Sequence, residues 1–255
     1  MVELEAAERV AWLRLARPEA LNALSSEMTA AIADAIERVA AMDEVTVLVV
    51  AARGRAFSAG NDIREMAGLS REAAEGLATR QAALMDRFAE LPQVTIAAID
   101  GYALGGGLML AIAQDLRIAS DRSKFGLPEV TLGFNPGYGI ARLLDVVAGG
   151  HARDLMLSGR TIRATDALRM GLVNRVVAPA TLEASAGQWA AEIAAAPREG
   201  LAATKRLVRA ISAGERGGEP EAYARALATP AARERVRAFA ERTARRRSEG
   251  REGEA

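Results

Sequence analysis

The sequence contains two glycine-bearing turns, Ala56-Phe57-Ser58-Ala59-Gly60-Asn61-Asp62 and Gly101-Tyr102-Ala103-Leu104-Gly105-Gly106-Gly107. Each follows an apolar run that predicts a buried β-strand, at Val45 to Ala52 and at Val94 to Ile99, and each leads into a segment of helical character. Glycine lets the backbone turn sharply and leaves its N–H groups uncovered, and N–H groups at a helix N-terminus carry partial positive charge. Two such N–H groups aimed at one point form an oxyanion hole, so the predicted task is to stabilise negative charge on a substrate oxygen.

The composition excludes several classes of function. The 255 residues carry a formal net charge of zero and only 4% aromatic side chains, which disfavours a nucleic-acid partner. The absence of cysteine excludes disulfides, thiolate metal sites and a cysteine nucleophile. The single histidine, His151, argues against a histidine metal site or a histidine relay, and we assign it no role.

The N-terminal segment from Met1 to Arg17 contains three glutamates and no apolar run of signal-peptide length. The longest uncharged stretches, such as Ala103 to Gln114, are shorter than the ~20 residues that span a bilayer. We therefore expect a cytoplasmic protein without a membrane partner.

Buried strands alternate with helices as far as Val177, a pattern that predicts an α/β core with parallel strand pairing over residues 1–178. A helical C-terminal region is predicted over 179–245, followed by a disordered, charged tail over 246–255. The predicted helices of the C-terminal region are Leu182 to Ala196, Glu199 to Ile211 and Pro220 to about Arg246.

Local signals set the ends of the helices expected in the core. Ser25 is a predicted N-cap, followed by apolar residues at helical spacing, and a second helix is expected from near Ser70 to Leu91, where Pro92 stops it. Val10 to Leu15 and Leu116 to Ala119 are predicted as further strands.

The triple glycine does not fit the common phosphate-binding motifs. A Walker loop needs Lys-Ser/Thr where Leu108 and Met109 stand, and Leu110 occupies the position of the third glycine of the dinucleotide fingerprint. A serine-hydrolase elbow at Ser58 would have Ala56 in place of its first glycine and only His151 as a base.

Four further segments complete a family pattern with the two turns: Phe125-Gly126-Leu127-Pro128-Glu129-Val130, Gly133 to Gly137, Leu157 to Arg160, and Ala167 to Val173. Taken together and in this order, the segments resemble the crotonase family, the enoyl-CoA hydratase/isomerase superfamily. The resemblance covers roughly residues 2 to 245.

The resemblance implies an α/β crotonase-type core of repeated ββα units, with a helical C-terminal region that packs in a homotrimer or a dimer of trimers. It implies a CoA-thioester substrate, whose oxygen receives the backbone N–H groups of Asn61 and Gly106, and Glu129 as the catalytic carboxylate. Since both donors are backbone groups, the side chain of Asn61 need not matter. Coenzyme A is needed only as part of the substrate, and neither a metal nor a redox cofactor is expected.

Arg55 and Arg64 match positions near the CoA phosphates, where an arginine fork suits phosphate oxygens. Asp62 and Asp115 are also interpreted as structural hydrogen-bond acceptors, and Tyr138 as a residue that lines the pocket or donates into it. Altogether, the expected substrate-binding residues are Arg55, Ala59, Asp62, Ile63, Arg64, Gly105, Met109, Pro136, Gly137 and Tyr138.

The acid–base positions differ from those of the two-glutamate hydratases that the sequence resembles. Met109 occupies the position of their first glutamate and Glu129 that of the second, and Gly137 stands where dienoyl isomerases have an aspartate. One carboxylate favours isomerisation of a 3-enoyl thioester to a 2-enoyl thioester. The alternatives are hydration of a 2-enoyl thioester, another enolate reaction such as decarboxylation or hydrolysis, and a non-catalytic acyl-CoA binder or RNA-associated relative.

Overall fold

Two β-sheets organise the first part of the chain in the computed structural model, which describes residues 1–252. The strands are β1 (Val2–Ala7), β2 (Val10–Leu15), β3 (Val47–Ala52), β4 (Ala56–Ser58), β5 (Val94–Ile99), β6 (Tyr102–Leu104), β7 (Leu116–Ser120), β8 (Lys124–Gly126), β9 (Thr161–Arg163) and β10 (Arg175–Val177). The larger sheet has the order β1-β2-β3-β5-β7-β10, and the smaller has the order β4-β6-β8-β9.

The helices lie between and after these strands. They are α1 (Ser26–Ala40), α2 (Ile63–Met66), α3 (Arg71–Glu90), α4 (Gly106–Ile112), α5 (Ile140–Val146), α6 (Gly149–Ser158), α7 (Ala164–Arg169), α8 (Leu182–Ala194), α9 (Arg198–Ser212), α10 (Glu219–Leu227) and α11 (Pro230–Glu252). Short 3-10 helices cover Pro18–Ala20, Pro128–Leu132 and Pro179–Thr181.

The central strands pair in parallel and are covered on both faces. β3 pairs with β2 and β5, and β5 pairs with β7, each in parallel register. Alternate residues of β3 belong to different cores, with Leu48 in one hydrophobic cluster and Val49 in another. This arrangement explains the unbroken apolar runs and confirms the predicted parallel sheet.

The repeated unit is a long strand of the larger sheet, a short strand of the smaller sheet and then a helix. β3 and β4 precede α2 and α3, and β5 and β6 precede α4. The short strands β4, β6 and β8 pair in parallel, as do the long strands before them. The predicted crotonase-type α/β core of repeated ββα units is therefore confirmed.

Serine caps begin two of the predicted helices. The Ser25 hydroxyl accepts a hydrogen bond from the Met28 N–H at 3.1 Å, and the Ser70 hydroxyl accepts one from the Ala73 N–H at 3.2 Å. Each satisfies a donor that the first turn of a helix leaves free. These contacts confirm the starts of α1 and α3.

One predicted helix is in fact two. The sequence predicts continuous helix from Pro220 to about Arg246, whereas α10 ends at Leu227 and α11 begins at Pro230. The Thr229 hydroxyl accepts a hydrogen bond from the Ala232 N–H at 3.3 Å. Proline has no N–H to lose and suits the first turn, so Thr229 and Pro230 form a start signal that interrupts the helix.

The chain divides into two compact units, Met1–Ala202 and a second unit from Ala203 onwards. The sequence predicts an earlier boundary, at 178/179, because the residues after it have a helical pattern. On that ground alone α8 belongs to the C-terminal region. Trp189 and Ala190 of α8 instead share a hydrophobic cluster with Val49 and Ile96 of the larger sheet. The second unit contains the end of α9 together with α10 and α11.

The predicted tail, 246–255, lies partly in helix, since α11 extends to Glu252. Residues 253–255 of that tail lie outside the described residues. Within residues 1–252, no helix is long and apolar enough to cross a bilayer.

Candidate active site

The two glycine-bearing turns lie directly against each other. Gly60 has φ of 99°, and a Cβ atom there would lie 2.8 Å from the Leu104 carbonyl oxygen and 3.2 Å from the Gly106 nitrogen. Such an approach, with a left-handed φ, is open to glycine and strained for other residues. The predicted meeting of the two turns is thus present in the structure.

A short parallel bridge fixes the first turn. Leu24 donates its N–H to the Gly60 carbonyl at 2.8 Å, and the Asp62 N–H reaches the Leu24 carbonyl at 3.5 Å. In a parallel bridge the flanking residues make the hydrogen bonds, so the N–H of Asn61 itself faces the opposite side. That N–H has no backbone acceptor within residues 1–252.

The second turn opens helix α4. Gly105 donates its N–H to the Gly126 carbonyl at 2.9 Å, which leaves the next N–H, that of Gly106, at the first position of the helix. An N–H at this position has no acceptor within its own helix. All residues of α4 are buried, so the surrounding core holds the helix end in place.

A cavity of about 390 Å³ lies in front of both turns. It contains most of the residues that the sequence predicts for the site, namely Ala59, Asn61, Ile63, Gly105, Gly106, Met109, Glu129, Pro136, Gly137 and Tyr138. Glu129 is the one carboxylate among the lining residues described. A mainly apolar cavity with few convergent polar groups is typical of a small-molecule site.

Glu129 lies in the 3-10 helix Pro128–Leu132, at the edge of the second turn. A Cβ atom on Gly105 would lie 2.8 Å from its Oε1, and its buried Oε2 has no hydrogen-bond partner within the described part of the chain. Burial raises the pKa of Glu129 above its ordinary value. A partly buried carboxylate of raised pKa is suited to act as a general base.

Met109 lies one turn along α4 from Gly106 and is 1% exposed. Its sulfur packs so closely on Gly139 that a Cβ atom there would lie 2.5 Å from Sδ. The predicted position of Met109 on the cavity wall is therefore present, and it places a thioether where the two-glutamate pattern has a carboxylate.

Beside the two turns, the side chain of Tyr138 contacts those of Asn61 and Gln81. The Tyr138 hydroxyl donates to Asn61 Oδ1 at 3.0 Å and also contacts Gln81 Oε1. A Cβ atom on Gly106 would lie 2.5 Å from both Asn61 Oδ1 and the Tyr138 hydroxyl. Burial and then the charge of Glu129 raise the pKa of Tyr138, so this hydroxyl stays neutral. The side chain of Asn61, which the sequence analysis gives no role, thus has a defined partner.

The sequence profile of the family described as enoyl-CoA hydratase/isomerase matches residues 5–246. The chain belongs to this family. Consistent with the match, it is an enzyme of the crotonase superfamily.

Individual relatives agree with this assignment. The Mycobacterium avium protein named "Probable enoyl-CoA hydratase echA17" is 38% identical over 203 residues, covering 79% of each chain. YngF of Bacillus subtilis, by name an enoyl-CoA hydratase/isomerase, is 37% identical over 244 residues, covering 92% of this chain and 93% of its own. The solved enoyl-CoA hydratase of Mycobacterium smegmatis has a TM-score of 0.87 and 34% identity, with 94% and 96% of the two chains covered.

Three residues predicted to bind substrate do not line the cavity of this crotonase-family enzyme: Arg55, Asp62 and Arg64. Asp62 accepts a hydrogen bond from Arg17 at 2.9 Å, which lowers its pKa, and a second one from the Arg64 N–H at 3.1 Å, which caps α2. These contacts agree with the interpretation of Asp62 as a structural acceptor, and its role in substrate binding stays a prediction. Arg55 and Arg64 are exposed, and their role at the CoA phosphates stays a prediction.

Asp115 makes the kind of contact that the sequence suggests. It accepts hydrogen bonds from the backbone and side chain of Thr95, at 2.7 and 3.1 Å. His151 is an exposed residue of α6 outside the cavity.

Sequence reasoning missed part of the cavity wall of the enzyme. The lining residues that the predicted site lacks are Gly60, Met66, Leu69, Ala74, Leu77, Ala78, Pro128, Leu132, Phe134 and Asn135. It also missed Gln81, although a signal was present: the buried residues of α3 are Gln81, Leu84, Met85 and Phe88, so a polar residue occupies the apolar stripe of the helix.

Proposed function

We propose that this enzyme converts a 3-enoyl-CoA thioester into the 2-enoyl isomer through an enolate. The thioester oxygen would accept hydrogen bonds from the backbone N–H groups of Asn61 and Gly106. Neither group has a backbone acceptor of its own within residues 1–252, and they lie on touching turns that line the cavity. Removing one donor of this kind typically costs ~2.7–4 kcal/mol of transition-state stabilisation.

Glu129 would carry the proton. Its carboxylate removes a proton from C2 of the substrate, the C2 electrons form the enolate, and the negative charge moves to the thioester oxygen. The same proton is then returned to C4, the double bond shifts from the 3,4 to the 2,3 position, and Glu129 is a carboxylate again. Substrate and product are isomers, so no other reactant is consumed.

The observation that supports isomerisation is that Glu129 is the one carboxylate among the described residues that line the cavity. Met109 provides no oxygen at the position where a second carboxylate would orient water. A proton shuttle needs one base, because that base holds the proton between the two steps.

Hydration of a 2-enoyl-CoA is the second candidate, and the names of the relatives favour it. Both the M. avium protein and the M. smegmatis structure are named enoyl-CoA hydratases. In hydration, Glu129 would deprotonate a water molecule that adds to C3, and the proton would be delivered to C2.

One assay distinguishes the two reactions. Purified enzyme is given 3-enoyl-CoA and 2-enoyl-CoA of equal chain length in parallel, and the products are separated and quantified. We expect faster turnover of the 3-enoyl substrate. Hydration at least as fast as isomerisation would overturn the isomerase proposal and leave the family assignment unchanged.

The proposal also includes a homotrimer or a dimer of trimers, no metal or redox cofactor, and a cytoplasmic location. Several apolar side chains of the second unit are exposed in the single chain, among them Tyr223, Val236 and Phe239. Sedimentation should give three or six times the chain mass of 26.9 kDa, and the mass of one chain would refute an oligomer. Dialysis against a chelator should leave turnover unchanged.

A further inference from the structure

A closed circuit of hydrogen bonds surrounds Asn61. On the backbone side, Leu24 pairs with the residues before and after it, Gly60 and Asp62. On the side-chain side, Asn61 contacts the Tyr138 hydroxyl. Gln81 joins the two sides, because its Nε2 donates to the Leu24 carbonyl at 3.4 Å and its Oε1 contacts the same Tyr138 hydroxyl.

The available protons decide which group is the donor in each hydrogen bond of the circuit. A tyrosine hydroxyl has one proton to donate, and both Gln81 and Asn61 offer it a carbonyl-type oxygen. Gln81 must keep its nitrogen toward Leu24, so its oxygen stays toward Tyr138 and receives the proton. Asn61 Oδ1 lies 3.0 Å from the same hydroxyl, and a half-turn of its amide would bring Nδ2 there as a donor and complete the circuit.

The burial of Gln81 shows how strongly the circuit depends on it. Its side chain is 0% exposed, within the otherwise apolar stripe of α3. An amide without partners in such a place costs ~1–3 kcal/mol, so it is stable there only while both ends are hydrogen-bonded. In the described part of the chain, its two hydrogen-bond partners are Leu24 and Tyr138, the groups that hold Asn61.

We propose that Gln81 is a positioning residue, which through Leu24 and Tyr138 fixes the direction of the Asn61 N–H at the thioester oxygen. This inference rests on the oxyanion hole of the proposed function, and holds for isomerisation and hydration alike. Gln81 lies behind the cavity wall and acts through other residues, without touching the substrate.

Loss of Gln81 should affect the transition state of the reaction more than the binding of the substrate. A displacement of ~1 Å in a group that positions the reaction can lower the rate ~10²-fold. Loss of the circuit should therefore reduce kcat by ~10- to 100-fold and change the Kd of a saturated acyl-CoA by less than ~3-fold, because ground-state binding depends less on this alignment.

The test measures the oxyanion hole without turnover. An aryl-conjugated 2-enoyl-CoA absorbs at longer wavelength when its carbonyl oxygen is polarised by hydrogen bonds, so its spectrum is recorded free and bound. Wild type should give a red shift, and Gln81→Met, which keeps the length of the side chain and removes both hydrogen bonds, should lose most of it. Gln93→Met is the matched control, because Gln93 is also fully buried and donates to a backbone carbonyl, that of Val39, away from the cavity.

Tyr138→Phe provides a second route if Gln81→Met does not fold. It removes one oxygen and cuts the same circuit, so it should reduce both the red shift and kcat. In the double variant, the effects on kcat should be less than additive, since both act on Asn61.

The outcomes distinguish a failure of the proposed oxyanion hole from a failure of the positioning role of Gln81. A wild type without a red shift would overturn the oxyanion hole of the proposed function and, with it, the role of Gln81. A normal red shift in wild type that persists in Gln81→Met and in Tyr138→Phe would overturn only the positioning role. Equal loss in Gln81→Met and Gln93→Met would also overturn it, because the effect would then be a general loss of stability.

Discussion

Glu129 combines two properties that oppose each other: it is charged at neutral pH if it is to be a base, and its position disfavours that charge. Its Oε2 is buried without a partner in the described part of the chain, and burial raises its pKa. The same environment that makes the carboxylate a stronger base therefore makes it a less stable component of the folded chain.

Glu129→Gln should lower turnover by at least ~10²-fold, because the amide keeps the shape and removes the basicity. Binding of a saturated acyl-CoA should be nearly unchanged. Turnover of the wild type should fall in acid at a pH above the ordinary glutamate pKa, since protonation removes the base. Near-normal turnover of the variant on both enoyl-CoA isomers would show that another group is the base.

The same substitution should leave the Tm equal or higher at pH 7. A carboxyl whose folded-state pKa is raised contributes most to stability below its unfolded pKa, and that contribution is lost as pH rises through the folded pKa. Glutamine resembles the protonated form and avoids this loss. The difference in Tm between variant and wild type should shrink on acidification to pH 4, and a variant that is less stable at pH 7 would contradict the assignment of an uncompensated charge.

Gly106→Ala should reduce turnover sharply, because its Cβ would lie 2.5 Å from both Asn61 Oδ1 and the Tyr138 hydroxyl. Those groups must move, and the N–H direction of both oxyanion donors changes with them. Gly150→Ala in α6 is the control, since a Cβ atom there meets nothing within 4 Å. If the two alanine variants have similar kcat values and folded spectra, the close packing around Gly106 does not hold the donors in their working positions.

At the level of elements, the proposed function predicts that α4, through Met109, decides between isomerisation and hydration. Met109→Glu would place a carboxylate on the cavity wall, one turn after Gly106, where it can hold water opposite Glu129. We expect the ratio of hydration to isomerisation to rise at least ~10-fold, within the range of general acid–base catalysis. Met109→Gln, of similar size and without charge, should raise the ratio much less. An unchanged ratio in Met109→Glu would mean that this position does not decide between the two reactions.

Local sequence signals are sufficient to predict the helices that have an N-cap and the strands that have an apolar run. Ser25 and Ser70 are caps with hydrogen bonds in the structure, and the apolar run of β5 is buried throughout. The strands of three residues, such as β4 and β6, were missed because so short a segment has no periodicity, and their pairing with each other comes from the tertiary fold.

The candidate site, too, is predictable from the sequence only where a local signal marks it. Glycine turns are visible in the sequence, and the structure brings Gly60 and Gly106 together. The contact between Gln81 and Tyr138 joins residues 57 positions apart, and only the folded chain reveals it.

For the whole molecule, the alternation of apolar runs and helical segments predicts the α/β class, whereas the compact units divide after Ala202 and not at the predicted 178/179. Trp189 lies within a predicted helix after Pro179, so the sequence groups it with the C-terminal helices, whereas its packing places α8 on the larger sheet. A boundary depends on which apolar faces meet, and the local sequence does not contain that information.

The rim of the cavity has a consequence for the heat of binding. Ile63, Leu69, Leu132 and Phe134 line the cavity, yet they are 70%, 38%, 63% and 42% exposed. A ligand that covers such side chains removes apolar surface from water, and this gives a negative change in heat capacity. In calorimetric titration with a saturated acyl-CoA, the heat released on binding should therefore increase with temperature. The change of binding enthalpy with temperature should be smaller for Leu132→Ser. A binding enthalpy of wild type that does not change with temperature would show that the ligand leaves these side chains in water. Since hydrophobic contributions weaken on cooling, the rim should retain an acyl-CoA less firmly in the cold.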